Sequence, residues 1–382
     1  MKECYLYDKK ENNIVRCNAC SHRCIIAEGN RGLCGVRKNI KGKLYSLVYG
    51  KAIGIAVDSI EKKPLFHFMP GADVLSFGTS GCNFGCRFCQ NSEMSQPPRE
   101  KIRGKDNIRG KNNISEYGIY GQDITPEEIV RLAVDNNIPC IAYTYNEPAV
   151  FLEFAYDTAK LAHSSKLSDG NNIKNIYVTN GYETKEALEM IKPYIDAINI
   201  DLKSFNDDFY KKLCDGRLQP VLDTIKRAHE MGFWIEITTL IIPGKNDSAA
   251  ELKKIAEFIA SLENNSNGVS GKHIPWHISR FFPMYKMLDV QPTPEKKLLE
   301  AYEIGKKAGL RHVYVGNIDI EGKENLGCSY CPECDELLIE RKRYEIGKNN
   351  IKDGKCRRCK AKISGFYPFS RVSNLFRKYF NR

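Results

Sequence analysis

The 382-residue sequence contains no run of about 18 apolar residues, the length that a membrane-spanning helix needs. Its start, MKECYLYDKK, is charged and is not followed by the apolar stretch of a secretory signal peptide. No internal sequence repeat is visible. We therefore expect a cytoplasmic protein that has no membrane partner. The 42% hydrophobic content argues against disorder and is enough for one large domain with small additional modules.

The sequence also lacks the features of a disulfide framework. Its 15 cysteines are an odd number, they occur at C-x-x-C spacings, and no secretion signal accompanies them. All except Cys4, Cys140 and Cys214 lie in three groups along the chain. This pattern favours metal binding over disulfide bonds.

The central group, GCNFGCRFCQN, lacks the fourth cysteine that closes a structural zinc site. Its thiolates, from Cys82, Cys86 and Cys89, suit an iron–sulfur cluster in which one iron keeps an open position. An open metal position is where a substrate or cofactor binds. The alternative is a zinc site that takes its fourth ligand from elsewhere in the chain.

The two outer groups each offer four thiolates. The C-terminal group consists of two C-x2-C pairs separated by 21 residues, the spacing of a zinc ribbon: Cys331, Cys334, Cys356 and Cys359. Cys328 is left over, as a bystander or as part of an alternative cluster. The N-terminal group fits zinc and a second iron–sulfur cluster equally well: Cys17, Cys20, Cys24 and Cys34. A ribbon is too small to fold by apolar burial alone and would depend on its metal.

Most of the net charge of +11 lies near the C-terminus. From Cys328 to Arg382, 14 Lys and Arg residues stand against 6 Asp and Glu residues. A solvated basic face is the commoner meaning of such an excess, and docking to an acidic protein or to nucleic acid is the alternative.

From residue 74 onward, short β-branched runs alternate with segments of helical period. One helix start is marked by Thr125, Pro126 and Glu128, which form a capping box with proline at the first helical position. The alternation predicts an α/β fold with a parallel sheet, either open and doubly wound or a partial barrel. The apolar runs are VLSFGTS, CIAYTY, NIYVTN, AINIDLK, WIEITTLIIPG and IPWHISRFF.

Polar residues follow the ends of these predicted strands. The carboxyl ends of parallel strands form one edge, at which binding and chemistry collect. After the cysteine loop, the polar residues in chain order are Asn146, Glu147, Thr179, Asn180, Asp201 and Lys203, and His277 lies within the sixth run. The polar segment 101–123 interrupts the pattern. We interpret it as a surface insertion, with a substrate lid as the alternative.

The C-x3-C-x2-C loop, with the aromatic Phe88 before its last cysteine, resembles the cluster loop of the radical S-adenosylmethionine (SAM) superfamily. The resemblance covers roughly residues 71–320 and is closest to the pyruvate formate-lyase activating enzymes. Over nearly the full length, the chain is similar to the radical enzyme of the AmmeMemoRadiSam gene set. The resemblance implies a partial (β/α)6 barrel and a 4Fe-4S cluster that binds SAM. It also implies reductive cleavage of SAM to a 5′-deoxyadenosyl radical that abstracts hydrogen.

The same resemblance assigns further residues to SAM binding. In the activating enzymes a Gly-Gly-Glu-Pro turn contacts the amino group of SAM, and the acid of that turn matches Glu147 in YTYNEP. The DLK sequence matches residues that help to hold a monovalent cation and the carboxylate of SAM. VTNG matches a third-strand Asp-Thr-Asn-Gly, with Val178 in place of the acid. The residues implied in SAM binding are Phe88, Asn146, Glu147, Thr179, Asn180, Asp201, Lys203 and His277.

We therefore predict four parts: an N-terminal cysteine-rich segment 1–70, a radical SAM core 71–320, a zinc-ribbon-like module 325–365 and a basic tail 366–382. The predicted function is radical hydrogen abstraction from a protein or peptide in an anaerobic setting, with a ferredoxin or flavodoxin as reductant. The same chemistry on a small molecule or RNA is one alternative. A metal-stabilised binding protein without catalysis is the alternative from another class.

Overall fold

The computed structural model describes residues 1–104, 117–317 and 324–368. The middle of the predicted insertion 101–123 and nearly all of the predicted basic tail 366–382 lie outside the described residues. Among the helices in these ranges, none combines the length and the apolar character needed to cross a bilayer.

The N-terminal segment forms two small antiparallel sheets and one strand of the main sheet. Its strands are β1 Lys2–Glu3, β2 Tyr7–Lys9, β3 Val15–Cys17, β4 Ile25–Ile26, β5 Arg37–Ile40, β6 Lys43–Ser46 and β7 Lys51–Ser59. The two small sheets have the strand orders β1-β6-β5 and β2-β3-β4, and β7 pairs with the first strand of the main sheet.

The main sheet has nine strands in the order β15-β14-β13-β12-β11-β10-β8-β7-β9. Its remaining strands are β8 Asp73–Gly78, β9 Gln122–Asp123, β10 Cys140–Tyr143, β11 Lys174–Thr179, β12 Ala197–Asp201, β13 Trp234–Ile241, β14 Trp276–Arg280 and β15 Val313–Gly316. Strands β8 and β10 to β15 are parallel, whereas β7 runs antiparallel to its neighbours. The six predicted strands are confirmed. The seventh parallel strand, β15, was not among the predicted strands.

Helices connect the parallel strands. They are α1 Ser92–Ser95, α2 Pro97–Ile102, α3 Pro126–Asp135, α4 Leu152–Ser164, α5 Lys185–Ile191, α6 Asp207–Phe209, α7 Leu218–Glu230, α8 Ala249–Ala260 and α9 Glu295–Lys307. A π-helical turn, Tyr210–Cys214, follows α6. The predicted capping box of α3 is confirmed, because the Thr125 hydroxyl accepts from the Glu128 N–H (3.2 Å) and the Glu128 carboxylate accepts from the Thr125 N–H (2.7 Å).

The amino ends of the parallel strands are covered by segment 60–72. Its apolar side chains pack against the first residues of the strands in a separate buried cluster: Ile60, Leu65, Phe68, Met69, Ala72, Val74, Cys140, Ala142, Ile176 and Ala197. The ring of Phe68 stacks on that of Phe366, with centroids 5.2 Å apart, and the Met69 N–H donates to the Phe366 carbonyl. The C-terminal part of the chain therefore joins the sheet at its amino ends.

The C-terminal part is a set of short antiparallel strands: β16 Ser329–Tyr330, β17 Leu337–Lys342, β18 Glu345–Asn349, β19 Ile351–Lys352 and β20 Lys355–Cys356. Arg341 connects it to the rest of the protein, because its buried guanidinium lies 4.2 Å from the centre of the Phe66 ring. The guanidinium also donates to the Phe66 carbonyl and to the Ser329 hydroxyl, both at 2.7 Å.

Candidate functional site

The loop after β8 carries the three central cysteines. Cys82 and Cys86 are buried and Cys89 is partly exposed, and all three are free thiols. Burial, followed by the charge of Glu147, raises the pKa of Cys82 well above its usual range. A thiolate is stable at such a site when a metal supplies the compensating positive charge. The Phe84 N–H points at the Cys82 sulfur (3.4 Å), as expected for a cluster ligand.

The loop is held in place by the turn after α6. The Gly85 N–H donates to the Cys214 carbonyl (2.8 Å), and the Arg87 N–H donates to the Leu213 carbonyl (2.9 Å). Phe88 is buried and packs on Phe209, with ring centroids 5.8 Å apart. These contacts give Phe88 a role in shaping the loop, and its predicted part in SAM binding stays a prediction.

Cys214 is a functional neighbour that sequence reasoning missed. Its side chain is completely buried. The Cys86 thiol donates a hydrogen bond to the Cys214 sulfur, and this bond, followed by burial, raises the pKa of Cys86. No sequence signal indicated this contact, because more than 100 residues separate the two cysteines.

The turn after β10 approaches the cysteine loop through Asn146. Its amide donates to the Gly81 carbonyl (2.7 Å) and accepts from the Thr79 N–H (3.2 Å). The preceding Tyr145 has a φ of 69°, in the left-handed region that favours glycine. Gly78 is required for the close approach, because a Cβ there would lie 2.5 Å from the Thr144 carbonyl oxygen. Asn146 therefore ties this turn to the loop.

Glu147 belongs to a buried pair of carboxyl groups. Its oxygens accept from the N–H groups of Ala149 (3.1 Å) and Asn180 (2.8 Å). The Thr179 hydroxyl lies 2.9 Å from Glu147 Oε1 and 2.6 Å from Glu183 Oε1. A hydroxyl has one proton, so Thr179 donates a hydrogen bond to only one of the two carboxylates. It accepts a hydrogen bond from the other carboxyl group, which is protonated. Burial, followed by the charge of Glu183, raises the pKa of Glu147 well above its usual range, in keeping with a pair that shares one proton.

Glu183 was not among the predicted residues. It lies four residues after Thr179, beyond the VTNG match, so the resemblance did not extend to it. The carboxylate of Glu147 is completely buried and its oxygens are already hydrogen bonded, which gives it a role in positioning the Thr179–Asn180 backbone. Its predicted direct contact with SAM stays a prediction.

Asn180 reaches the cysteine loop directly. Its side-chain amide donates to Asn83 Oδ1 (2.7 Å) and lies 3.9 Å from the Cys82 sulfur. The structure thus brings the end of β11 against the loop after β8, as the positions of these residues at strand ends predicted.

Lys203 and Asp201 form an ion pair at the end of β12, with the ammonium 2.7 Å from the carboxylate. Burial alone would lower the pKa of Lys203, but Asp201 and the neighbouring Cys86 outweigh burial and raise it. Lys203 is therefore a permanent cation beside the cysteine loop. A paired Lys and Asp in this place can bind the carboxylate and the ammonium of an amino acid.

His277 lies in different surroundings. Its Nε2 is 2.6 Å from Glu236 Oε2, and its ring packs edge-on against Phe66 with centroids 4.7 Å apart. Glu236 is completely buried and also accepts from the N–H of His67 (2.8 Å). Phe66 and His67 belong to segment 60–72 at the amino ends of the strands, and Glu236 lies near the start of β13. The structure does not bring His277 to the cysteine loop through these contacts, and its predicted part in SAM binding stays a prediction.

The two outer cysteine groups differ in geometry. The sulfur atoms of Cys331, Cys334, Cys356 and Cys359 all lie within 4.8 Å of one another and form a group that could hold a metal ion. Cys328 is separate from them, and its sulfur accepts from the Arg341 N–H (3.3 Å). The N-terminal cysteines instead line a common cavity: Cys17, Cys20, Cys24 and Cys34.

Comparison with known proteins identifies the class. Residues 77–259 match the family model of the Radical SAM superfamily. An uncharacterized protein of Methanocaldococcus jannaschii is 42% identical over 360 residues, which cover 94% of this chain and 97% of the relative. The pyruvate formate-lyase-activating enzyme of Clostridium pasteurianum is 23% identical over 61% of this chain and 90% of its own length. A GTP 3′,8-cyclase of Listeria monocytogenes is 27% identical over 44% of this chain and 45% of its own length.

The chain belongs to the radical SAM superfamily and is a radical SAM enzyme. Membership implies SAM and a 4Fe-4S cluster as cofactors. The predicted family and class of enzyme are confirmed, as is the α/β fold.

Proposed function

We propose that Cys82, Cys86 and Cys89 bind the 4Fe-4S cluster and that SAM binds at its open iron. The supporting observation is the convergence of three strand ends on one loop. Asn146 after β10 bonds to Gly81, Asn180 after β11 bonds to Asn83, and Lys203 after β12 lies beside Cys86. When bound, the reduced cluster supplies the electron that cleaves SAM and releases a 5′-deoxyadenosyl radical.

The residues around the loop divide into binding and positioning groups. Lys203 and Asp201 offer the charges that the methionine part of SAM requires, and we assign them to its carboxylate and ammonium. Asn146, Glu147, Thr179 and Asn180 hold the turns next to the loop. Phe88 and His277 complete the proposed SAM site by resemblance to the activating enzymes.

The proposed substrate is a protein or peptide from which the radical abstracts hydrogen. The similarity to an activating enzyme across 90% of that enzyme's length supports this choice. The one-electron donor would be of the ferredoxin or flavodoxin type, in an anaerobic cytoplasm. A small molecule is the second candidate, supported by the similarity to a GTP 3′,8-cyclase, whereas RNA rests on the basic C-terminal charge alone.

We also propose that the C-terminal cysteines bind zinc. Four thiolates around one zinc ion at about 2.3 Å are separated from one another by about 3.8 Å. The sulfurs of Cys331 and Cys359 are 3.5 Å apart, and those of Cys334 and Cys356 are 3.8 Å apart. The spacing of these thiols therefore suits a single tetrahedral ion.

The four predicted parts remain our proposal for the domain organisation: segment 1–70, core 71–320, module 325–365 and tail 366–382. In the core, the seven parallel strands would curve into a partial barrel around SAM. The first part is not independent of the core, because its strand β7 pairs with β8 along the main sheet.

The function is tested by anaerobic reconstitution with iron and sulfide, followed by SAM and a strong reductant. We expect 5′-deoxyadenosine from the wild type and from Cys140→Ala, which removes a buried thiol outside the three groups. We expect none from Cys86→Ala. Equal cleavage by Cys86→Ala would contradict the proposal. Candidate peptides or nucleotides would then be added in deuterated form in ordinary water, and transfer of deuterium from one of them to 5′-deoxyadenosine would separate the two substrate classes.

A further inference from the structure

The N-terminal cysteines surround a cavity next to the proposed SAM-cluster loop. The cavity lies between these thiols, Arg37 and Asn83. The β3–β4 hairpin brings two of the cysteines together, because the Cys17 N–H donates to the Cys24 carbonyl (3.0 Å). Cys34 closes the cavity from the turn before β5.

The spacing of the four sulfurs differs from that of the C-terminal zinc-type group. Within the described ranges, the sulfur atoms of the four C-terminal cysteines all lie within 4.8 Å of one another. The sulfur atoms of the N-terminal cysteines do not all meet this limit. One zinc ion requires sulfur separations of about 3.8 Å. An iron–sulfur cluster holds its thiolates farther apart, because each one binds a different iron of a larger inorganic core.

Asn83 supplies an independent sign of a ligand. Its side chain is 1% exposed and lines the cavity, and its Nδ2 has no hydrogen-bond partner, whereas its Oδ1 accepts from Asn180. A buried N–H donor without an acceptor is costly. The sulfurs of an iron–sulfur cluster accept such N–H bonds, which also adjust the reduction potential of the cluster.

Asn83 also places the cavity next to the central cysteines. It directly follows Cys82 in the chain, and its carbonyl lies 2.9 Å from the Nε2 of His22, which belongs to the N-terminal segment. The Cys20 backbone forms a bridge with Glu183, the partner of the Glu147 carboxyl. A group bound in the cavity would therefore lie one residue away from a ligand of the central cluster.

We propose that Cys17, Cys20, Cys24 and Cys34 bind a second iron–sulfur cluster, which passes electrons to the cluster on Cys82, Cys86 and Cys89. This role as a relay rests on the proposed function. A low-potential protein donor loses one electron to the N-terminal cluster, which passes that electron to the central cluster and returns to its oxidised form. No bond or proton changes place in this transfer.

The metal content of the full-length protein, produced and purified anaerobically, tests the site. The first variant replaces Cys82, Cys86 and Cys89 with Ala, and the second carries Cys20→Ser and Cys24→Ser. Cys140→Ala is the matched control, and circular dichroism checks the folding of each variant. We expect the first variant to keep roughly half of the iron and sulfide of the control, if both clusters are of the 4Fe-4S type. We expect the second to lose iron and sulfide in equal amounts without losing zinc.

Three results would overturn the site: a first variant without iron and sulfide, a second variant that loses zinc instead of iron, or a folded second variant with unchanged iron. If the first variant keeps all of the iron, the central cluster of the proposed function fails while the N-terminal site stands. The two failures are therefore distinguishable.

Electron paramagnetic resonance tests the relay. In the fully reduced wild type, two neighbouring paramagnetic clusters relax each other, so the signal of the central cluster should saturate at a higher microwave power than in the Cys20→Ser/Cys24→Ser variant. Identical saturation in the two proteins would refute the close placement on which the relay depends.

Discussion

The ion pair between Arg37 and Glu153 allows a quantitative test of how the N-terminal segment is joined to the sheet. Arg37 on β5 reaches the first turn of α4, where its guanidinium donates to both carboxylate oxygens of Glu153, at 3.0 and 2.9 Å. The two side chains are 2% and 0% exposed. The guanidinium also donates to the Ala149 carbonyl (3.0 Å). Removal of either partner therefore leaves a buried charge without its counter-charge.

We expect Arg37→Met, which keeps most of the side-chain volume, to lower the free energy of unfolding by about 3 to 5 kcal/mol. Glu153→Gln should also be strongly destabilising, because it leaves the guanidinium unpaired. The double variant should cost about 1 to 3 kcal/mol less than the sum of the two single variants, since neither charge then remains alone.

The assay is anaerobic denaturation followed by the fluorescence of Trp234 and Trp276, the two tryptophans, which lie on β13 and β14. The exposed pair between Lys253 and Glu257, 3.6 Å apart on α8, provides the control, and Lys253→Met should have no measurable effect. A cost of less than about 1 kcal/mol for Arg37→Met, typical of exposed pairs, would refute a buried connection.

Three further predictions concern acid, the turn after β10 and the C-terminal metal. Burial lowers the pKa of His67 to about 4, so the stability that it contributes is present above its unfolded pKa of about 6.5 and is lost as the pH falls toward 4. The free energy of unfolding should fall by about 2 kcal/mol from this group between pH 7 and pH 5, and denaturation of His67→Gln should show a smaller fall. Tyr145 has a φ of 69°, in the left-handed region, so the Tyr145→Gly variant should be more stable than Tyr145→Ala by about 1 kcal/mol. Equal midpoints of the two variants in denaturant would contradict a left-handed backbone conformation at this position. Removal of zinc with a strong chelator, or Cys356→Ser, should open residues 325–365 to proteolysis while the sheet stays protected. Resistance of this module to proteolysis in the zinc-free protein would show that its fold does not depend on metal.

The sequence predicted the parallel strands and the cysteine groups because each depends on local pattern. Strand β11, for example, is a β-branched run that ends at polar residues, and the capping box at Thr125 is complete within four residues. The contacts of Glu183, Cys214 and Asn83 were not predicted. Each of these side chains acquires its role from a partner that the fold brings from a distant part of the chain.

The outer cysteine groups also show that a local sequence pattern does not determine which distant residues come together. Spacing predicted the C-terminal group as a single site, and its four sulfurs do converge. For the N-terminal group, spacing left zinc and a cluster equally open, because cysteine spacing does not determine how far apart the sulfurs lie. The position of Asn83 beside that group depends on how the segment lies on the sheet, which no local pattern describes.

The C-terminal module joins the sheet at the end opposite to the cysteine loop, since Phe68 and Phe66 hold it at the amino ends of the strands. A strand of five residues, such as β12, is about 17 Å long, so a distance of this order separates the two ends of the sheet. Lysines and arginines outnumber acidic residues in the module. If the enzyme were adsorbed through these charges on a negatively charged electrode, the cysteine loop would face the solution. Such a film would keep the edge that carries the cysteine loop open to the solution while the potential of the surface is varied.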